Sequence, residues 1–470
     1  MREAGNGSYD SQTESEENPL SQNPKVPSEE LTIVVGAGLA GLTCAFELAE
    51  KGKPVLVLEA APYVGGRTAN WNENGMEVES GFHKFIGYYT LLPELLERAG
   101  IKLNDMLFWE KSMEARHPEA EEPGVFGLDL VRAPLKTVLG ALGNNSYLTP
   151  ADKASLIPFF TAGFKDYLSN PEELDEIPVK EYAERHHVTE QALERILEPL
   201  SSGIFFLPPE QYSSYAFFGL FAPGIPRLHK MRIGAFSGGM TDVMCRPLAD
   251  AIERLGGTVR TSAPVRGLIA EEGAVRGVEL ENGERLRAAQ VVVAANIRRA
   301  QKLLSEHFSS VSAFKPFFEL EAMPHVTAQF ELTEPLLPKD RTTFGPGTQL
   351  GSFGEQARTT FRDKAGRTSI ILVDPDALVD LPEEEVWRRT VDSLKAIGLD
   401  GVDNATDYRI IRGDENFYRL AAGNEKKRPK QVTPIPGLFL AGDYTKQPFL
   451  ATMEGAVISG QRAARGILKA

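Results

Sequence analysis

The sequence predicts an α/β fold: a parallel-sheet domain built on a βαβ unit, interrupted by an inserted α+β domain. Three observations predict it. The apolar run Ile33-Val34-Val35 turns through Gly36-Ala37-Gly38-Leu39-Ala40-Gly41 into a helix-like stretch, Leu42 to Lys51, and a second apolar run follows at Val55 to Leu58. Near the other end, Leu438 to Ala441 reads as a strand that turns through Gly442-Asp443 into a helix beginning near Met453. Between them, helical spacing through residues 151–200 gives way to short alternating strands from Gly256 onward.

The first turn has the G-x-G-x-x-G form. Gly36 allows the tight turn, Gly38 admits a pyrophosphate close to the backbone, and Gly41 lets the helix pack onto the strand. The amides of Gly38, Leu39 and Ala40 lie where a helix N-terminus attracts phosphate. The second strand ends in Glu59, eighteen residues beyond Gly41, where an acid accepts both ribose hydroxyls and repels a 2′-phosphate. Strand, glycine turn, helix, strand and acid together predict an ADP-containing dinucleotide other than NADP. Ala60, Gly65, Gly66 and Arg67 follow directly. Small residues let the backbone meet a diphosphate, and the planar fork of Arg67 suits pairing with one. Gly442-Asp443 and the helix start at Met453 and Ala456 offer a second contact of the same kind.

In the middle, Ala183 to Leu200 carries apolar residues at three- and four-residue spacing. Strands are predicted at Thr258 to Ser262, Val265 to Ala270, Val275 to Leu280 and Gln290 to Ala294, with turns at Glu272-Gly273 and Asn282-Gly283. Further strands are predicted at Val326 to Leu332 and Thr368 to Val373. The chain then divides into an acidic, disordered tail (1–29), a discontinuous cofactor domain (30–90, 235–300, 430–470) and a substrate domain (91–234, 301–429). The segment through residue 30 carries Glu3, Asp10, Glu14, Glu16, Glu17, Glu29 and Glu30 against Arg2 and Lys25.

A content of 42% hydrophobic and 25% charged residues is that of a globular protein, and the net charge of −14 argues against a nucleic-acid partner. No apolar run reaches the roughly 18 residues of a membrane span, and the N-terminus lacks a secretory pattern. No metal-ligand spacing is present, so no metal is expected. Cys44 and Cys245 form no disulfide framework and suit a reducing compartment, which makes a cytoplasmic location the expectation. Cys44 reads as a small buried apolar residue. His186-His187 reads as an exposed helix end, and Glu425 to Lys430 as a solvated basic loop.

Glu59 through Gly65-Gly66-Arg67 and the terminal Ala441-Gly442-Asp443 with Met453-Glu454-Gly455-Ala456 resemble the FAD-dependent amine oxidase and phytoene desaturase superfamily, at both ends and in order. Gly81-Phe82-His83-Lys84-Phe85-Ile86-Gly87-Tyr88-Tyr89 and Gly442 to Gln447 are similar to segments of the carotenoid desaturases of plants and cyanobacteria. The resemblance implies FAD as cofactor in a Rossmann-like domain, with the backbone of Val265 against adenine. It also implies a substrate sheet roofed by the helices of residues 90–230. The implied activity is desaturation of a long isoprenoid such as phytoene, with quinone or O2 as electron acceptor. His83 is the residue expected beside the flavin, either handling a proton or as a structural histidine.

The superfamily's amine oxidases place an aromatic just before M-E-G-A, where this chain has Thr452, which counts against amine oxidation. Amine oxidation stays open nonetheless. So do isomerisation or dehydroxylation of a polyene or triterpenoid, and a flavin-free prenyl-binding chaperone. Gly203 to Pro209 and Tyr215 to Phe221, with Arg227, His229, Lys230 and Arg232, form either a membrane-facing patch or part of the core.

Overall fold

The computed structural model describes residues 29–127 and 145–469. The tail of residues 1–29 therefore falls outside the described residues, apart from Glu29.

The strand Thr32–Val35 sits in the middle of a five-stranded parallel sheet. Val55–Leu58 pairs on one side of it and Gln290–Val293 on the other; Thr258–Arg260 and Leu438–Leu440 form the two edges. Thr32–Val35 and Leu438–Leu440 are buried throughout and their neighbours nearly so, as a parallel sheet covered by helices requires, while the edge strand Thr258–Arg260 is half-buried. Gly36 has φ +107°, and a Cβ at Gly41 would lie 1.9 Å from the Gly36 carbonyl oxygen, so the turn and the close strand–helix packing both demand glycine. The helix Leu39–Glu50 runs from this turn, beginning three residues earlier than the spacing predicts. The last helix, Met453–Ile467, lies against it so closely that a Cβ at Gly460 would come within 2.2 Å of the Ala40 carbonyl.

Glu454 fixes that arrangement from within. Completely buried, it accepts hydrogen bonds from the backbone amides of Thr90, Leu91 and Leu92 and from the Thr90 hydroxyl. Its carboxylate satisfies the orphan amides at the start of the helix Leu91–Arg98 and lies at the positive end of that helix dipole. The glutamate of M-E-G-A thus ties the C-terminal helix to the beginning of the inserted region.

The hairpins at 265–287 follow the glycine turns: Glu272 and Gly273 both have positive φ, and Gly283 does as well. A seven-stranded sheet forms the second layer. Its long strands Ala322–Leu332 and Ala405–Tyr418 run antiparallel, flanked by Gly366–Leu372, Leu350–Glu355 and Thr343–Gly345. The helices Pro150–Ser169, Glu198–Phe205 and Ser214–Phe221 pack on this side of the molecule.

The aromatic run settles as core. Phe217 and Phe218 are fully buried, packed against Phe159 and Tyr182, and Phe206 is buried against His325 and Phe417. Of the two readings of this run, the core one holds for Phe217 and Phe218, whose rings are enclosed by Phe159 and Tyr182. Exposure falls instead on the next segment, at Ile225, Leu228, His229 and Lys230. The basic loop is also corrected in part, because Arg428 is buried and binds the carbonyls of Asp443, Tyr444, Thr445 and Gln447. His187 is exposed just past the helix Val179–Arg185, whereas His186 is half-buried against Tyr182. Cys44 and Cys245 are unpaired and buried, and burial pushes both thiols up. Among the described residues, no helix is long and apolar enough to cross a membrane.

Candidate active site

One cavity of about 580 Å³ runs along the C-terminal ends of the parallel strands. Gly36, Gly38, Leu39, Ala40, Glu59, Ala60, Gly65, Gly66, Arg67, Val265, Gly442, Asp443, Met453 and Ala456 all line it. Gly41 is the exception, because it packs between helix and strand and faces no open space. Gly38 and Gly65 pair through backbone, and the Gly65 amide donates to the Ala37 carbonyl, so two glycine segments make one floor. The Glu59 carboxylate accepts from the Ala37 amide at 2.7 Å and the Ala61 amide at 2.9 Å, which holds it at the cavity rim.

The site is joined across the chain by Arg67 and Asp443, 2.5 Å apart and 376 residues distant in sequence. Arg67 also lies over the Phe417 ring, 4.7 Å from its centroid. One guanidinium nitrogen of Arg67 is thus held by a carboxylate at the cavity wall. The second oxygen of Asp443 is buried and has no hydrogen-bond partner. A buried carboxylate oxygen left alone is costly unless the cavity's occupant donates to it. At the start of the last helix, the Thr452 hydroxyl accepts from the Gly455 amide, leaving the Met453 amide at the cavity wall unused by the cap. The glycine floor, two helix N-termini, the orphaned Asp443 oxygen and the acid at Glu59 fit a dinucleotide whose ribose, diphosphate and sugar-alcohol groups need those partners.

At one end of the cavity lie Val265, Pro264, Glu281, Asn296 and Arg299, with Arg299 donating to the Val265 carbonyl. At the other end a second cavity, about 360 Å³, opens. Ser80, His83, Phe417, Ala451, Thr452 and Met453 belong to both. The second cavity is walled by Met113, Ile204, Phe205, Phe206, Leu220, Phe221, Phe344 and Ile371. Lys84 and Arg232 also reach it, Lys84 paired with Glu110 at 2.6 Å and Arg232 stacked 3.6 Å over Trp109.

His83 stands where the two cavities meet. Its Nδ1 lies 2.9 Å from the Gly81 carbonyl oxygen, and an oxygen of that kind only accepts, so Nδ1 carries the proton. Burial, with the charge of Arg67 nearby, holds the imidazole down at about 4 despite the Gly81 hydrogen bond. The neutral ring therefore keeps a free lone pair on Nε2.

Residues 39–468 match the model of the family described as flavin containing amine oxidoreductase. The chain belongs to that family. Its cofactor is accordingly FAD, and it is an FAD-dependent oxidoreductase. The chain is 28% identical to the 15-cis-phytoene desaturase of Solanum lycopersicum, covering 94% of this chain and 78% of the relative. It is 26% identical to a probable zeta-carotene desaturase of Synechococcus elongatus, over 93% and 98% of the two chains. In three dimensions it is similar to an oxidoreductase from Methanosarcina mazei (TM-score 0.73, 20% identity, 94% and 100% of the two chains). It is also similar to a putrescine oxidase bound to putrescine (TM-score 0.72, 19% identity, 94% and 99%). Both structures share the Rossmann-like fold.

His325, Phe417, Ser80 and Arg299 line the FAD cavity without having been singled out in the sequence. His325 and Phe417 sit on two antiparallel strands far apart in the chain, and only the pairing of those strands brings them together. Arg299 offered no local signal either.

Replacing Glu59 with alanine should weaken FAD binding by about 1.5–3 kcal/mol, roughly ten- to hundredfold, the value of a hydrogen bond to a charged group. Fluorescence titration with FAD measures it, and an unchanged Kd would remove Glu59 from the ribose role.

Proposed function

We propose that the protein desaturates a long isoprenoid hydrocarbon, phytoene or a related carotenoid precursor. The observation that carries this reading is the apolar cavity meeting the FAD cavity at His83 and Thr452. Among the described residues its lining includes Lys84 and Arg232 and no aspartate or glutamate. Lys84 is already paired with Glu110, so the lining offers a protonated amine no free carboxylate of its own, while a hydrocarbon asks only for apolar walls. Thr452 standing where an aromatic would orient an amine supports the same choice. The similarity to phytoene and zeta-carotene desaturases supports it further.

FAD, when bound, supplies the acceptor for a hydride. The chain supplies everything else. Phe205, Phe206, Leu220, Phe221 and Ile371 hold an unfunctionalised chain by burial alone, worth about 25 cal/mol per Å2, and exclude water. Loss of hydride leaves an allylic cation on the substrate. The Nε2 lone pair of His83 takes the neighbouring proton, and the carbon–hydrogen electrons become the new double bond. Quinone or O2 then takes the two electrons.

Phe221 and Met231 line the cavity, and the segment between them exposes Ile225, Leu228, His229 and Lys230. We assign that segment to contact with a membrane surface, from which an insoluble substrate enters.

Anaerobic addition of liposomes carrying phytoene should bleach the flavin absorption bands, whereas putrescine should leave them intact. Bleaching by the amine alone would select amine oxidation. Turnover without net bleaching would select isomerisation or dehydroxylation. The pH dependence is set by the depressed His83. A folded pKa near 4, below the ordinary 6.5, means the neutral base persists above about pH 4 and is lost as pH falls through it. The rate of flavin reduction should hold down to about pH 5, and an inflection near 6.5 that vanishes in His83→Gln would contradict the assignment.

A further inference from the structure

His325 lies in the middle of the long strand Ala322–Leu332 and is 2% exposed, yet it lines the FAD cavity. Neither of its ring nitrogens makes a hydrogen bond of good geometry, although the backbone at Gly413 and Ser80 lies near the ring. The ring is gripped by Phe417, at 5.3 Å and 75°, and by Phe206, at 6.0 Å. On the remaining side it lies so close to the backbone that a Cβ at Gly413 would come within 2.1 Å of its Cε1. The side chain is thus fixed in orientation by neighbours, the Asn416 amide among them, that leave both ring nitrogens without a well-formed hydrogen bond. Leaving a buried imidazole unmatched is unfavourable. A leucine or phenylalanine would fill the same space without that cost, so packing does not explain the choice of residue.

Its location says what could match it. Phe417, against which it packs, is shared by the FAD cavity and the apolar cavity, and Arg67 and His83 are close enough to act on it electrostatically. We propose that His325 is a cofactor-contacting residue that hydrogen-bonds the flavin end of FAD and holds it against the apolar cavity. Burial and the Arg67 charge keep its imidazole depressed to about 4, so the contact is made by a neutral ring with one donor and one acceptor nitrogen. The proposal rests on the FAD reading of the cavity.

The test uses the full-length protein and its His325→Leu variant, with melting temperature measured with and without added FAD, FAD affinity by titration, and the visible spectrum of the complex. The variant should melt no lower than the parent without FAD, because it loses no well-formed hydrogen bond within the protein. Its FAD Kd should rise roughly 2- to 10-fold, its FAD-dependent melting rise should shrink, and its flavin bands should be displaced. Unchanged affinity and spectrum overturn the proposal. So does a lower melting temperature without FAD alongside weaker binding, since the loss would then begin in packing. If His325→Leu does not fold, His325→Phe is read by the same outcomes. A parent that gains no stability from FAD would instead overturn the cofactor reading.

Discussion

The structure depends on closing the two ends of the chain onto one another. The strand Thr32–Val35 has no place in a buried sheet until Gln290–Val293 pairs beside it and Leu438–Leu440 beyond that. Arg67 and Asp443 then meet, the last helix packs on the first through Gly460, and Glu454 seizes the amides of Thr90, Leu91 and Leu92. Each contact joins residues hundreds of positions apart. The FAD cavity is the seam between them, so the cofactor site is a product of chain closure and not of either motif alone.

The same closure sets the chemistry. Bringing Thr452 and Met453 against Ser80 and His83 turns the end of the FAD cavity into the end of the apolar one. The inserted sheet supplies Phe417 to that junction with His325 packed behind it, while the helices Glu198–Phe205 and Ser214–Phe221 supply the hydrophobic walls. Burial then decides protonation: His83 and His325 are both held neutral well below ordinary histidine values because charging them there means solvating a cation in an apolar wall.

The sequence was most legible where local geometry demands a particular residue. Gly36 and Gly41 meet constraints no other residue satisfies, and the glycines of the Glu272-Gly273 and Asn282-Gly283 turns adopt positive φ as hairpins of that kind require. The paired motifs at Glu59–Arg67 and Gly442–Ala456 proved to line a single cavity. Legibility failed where a residue's role is conferred by distant partners. Phe217 and Phe218 are apolar on a helix apolar on every side, a pattern that suits a membrane surface and a core equally; Phe159 and Tyr182 decide it. Arg428 looked like one more charge in a basic run until the carbonyls of residues 443–447 surrounded it. His325 reads as a polar interruption of a strand and acquires meaning only from the cavity it faces.

The most direct test of this account is a crystal structure of the protein with FAD and a long isoprenoid bound. The account predicts the adenosine beside Glu59 and Val265, the diphosphate over Gly38 and Gly65, and the flavin ring between His83, His325 and Met453, facing the hydrocarbon across Thr452. A flavin at the Val265 end, or an isoprenoid lodged outside the cavity lined by Phe206 and Ile371, would contradict it.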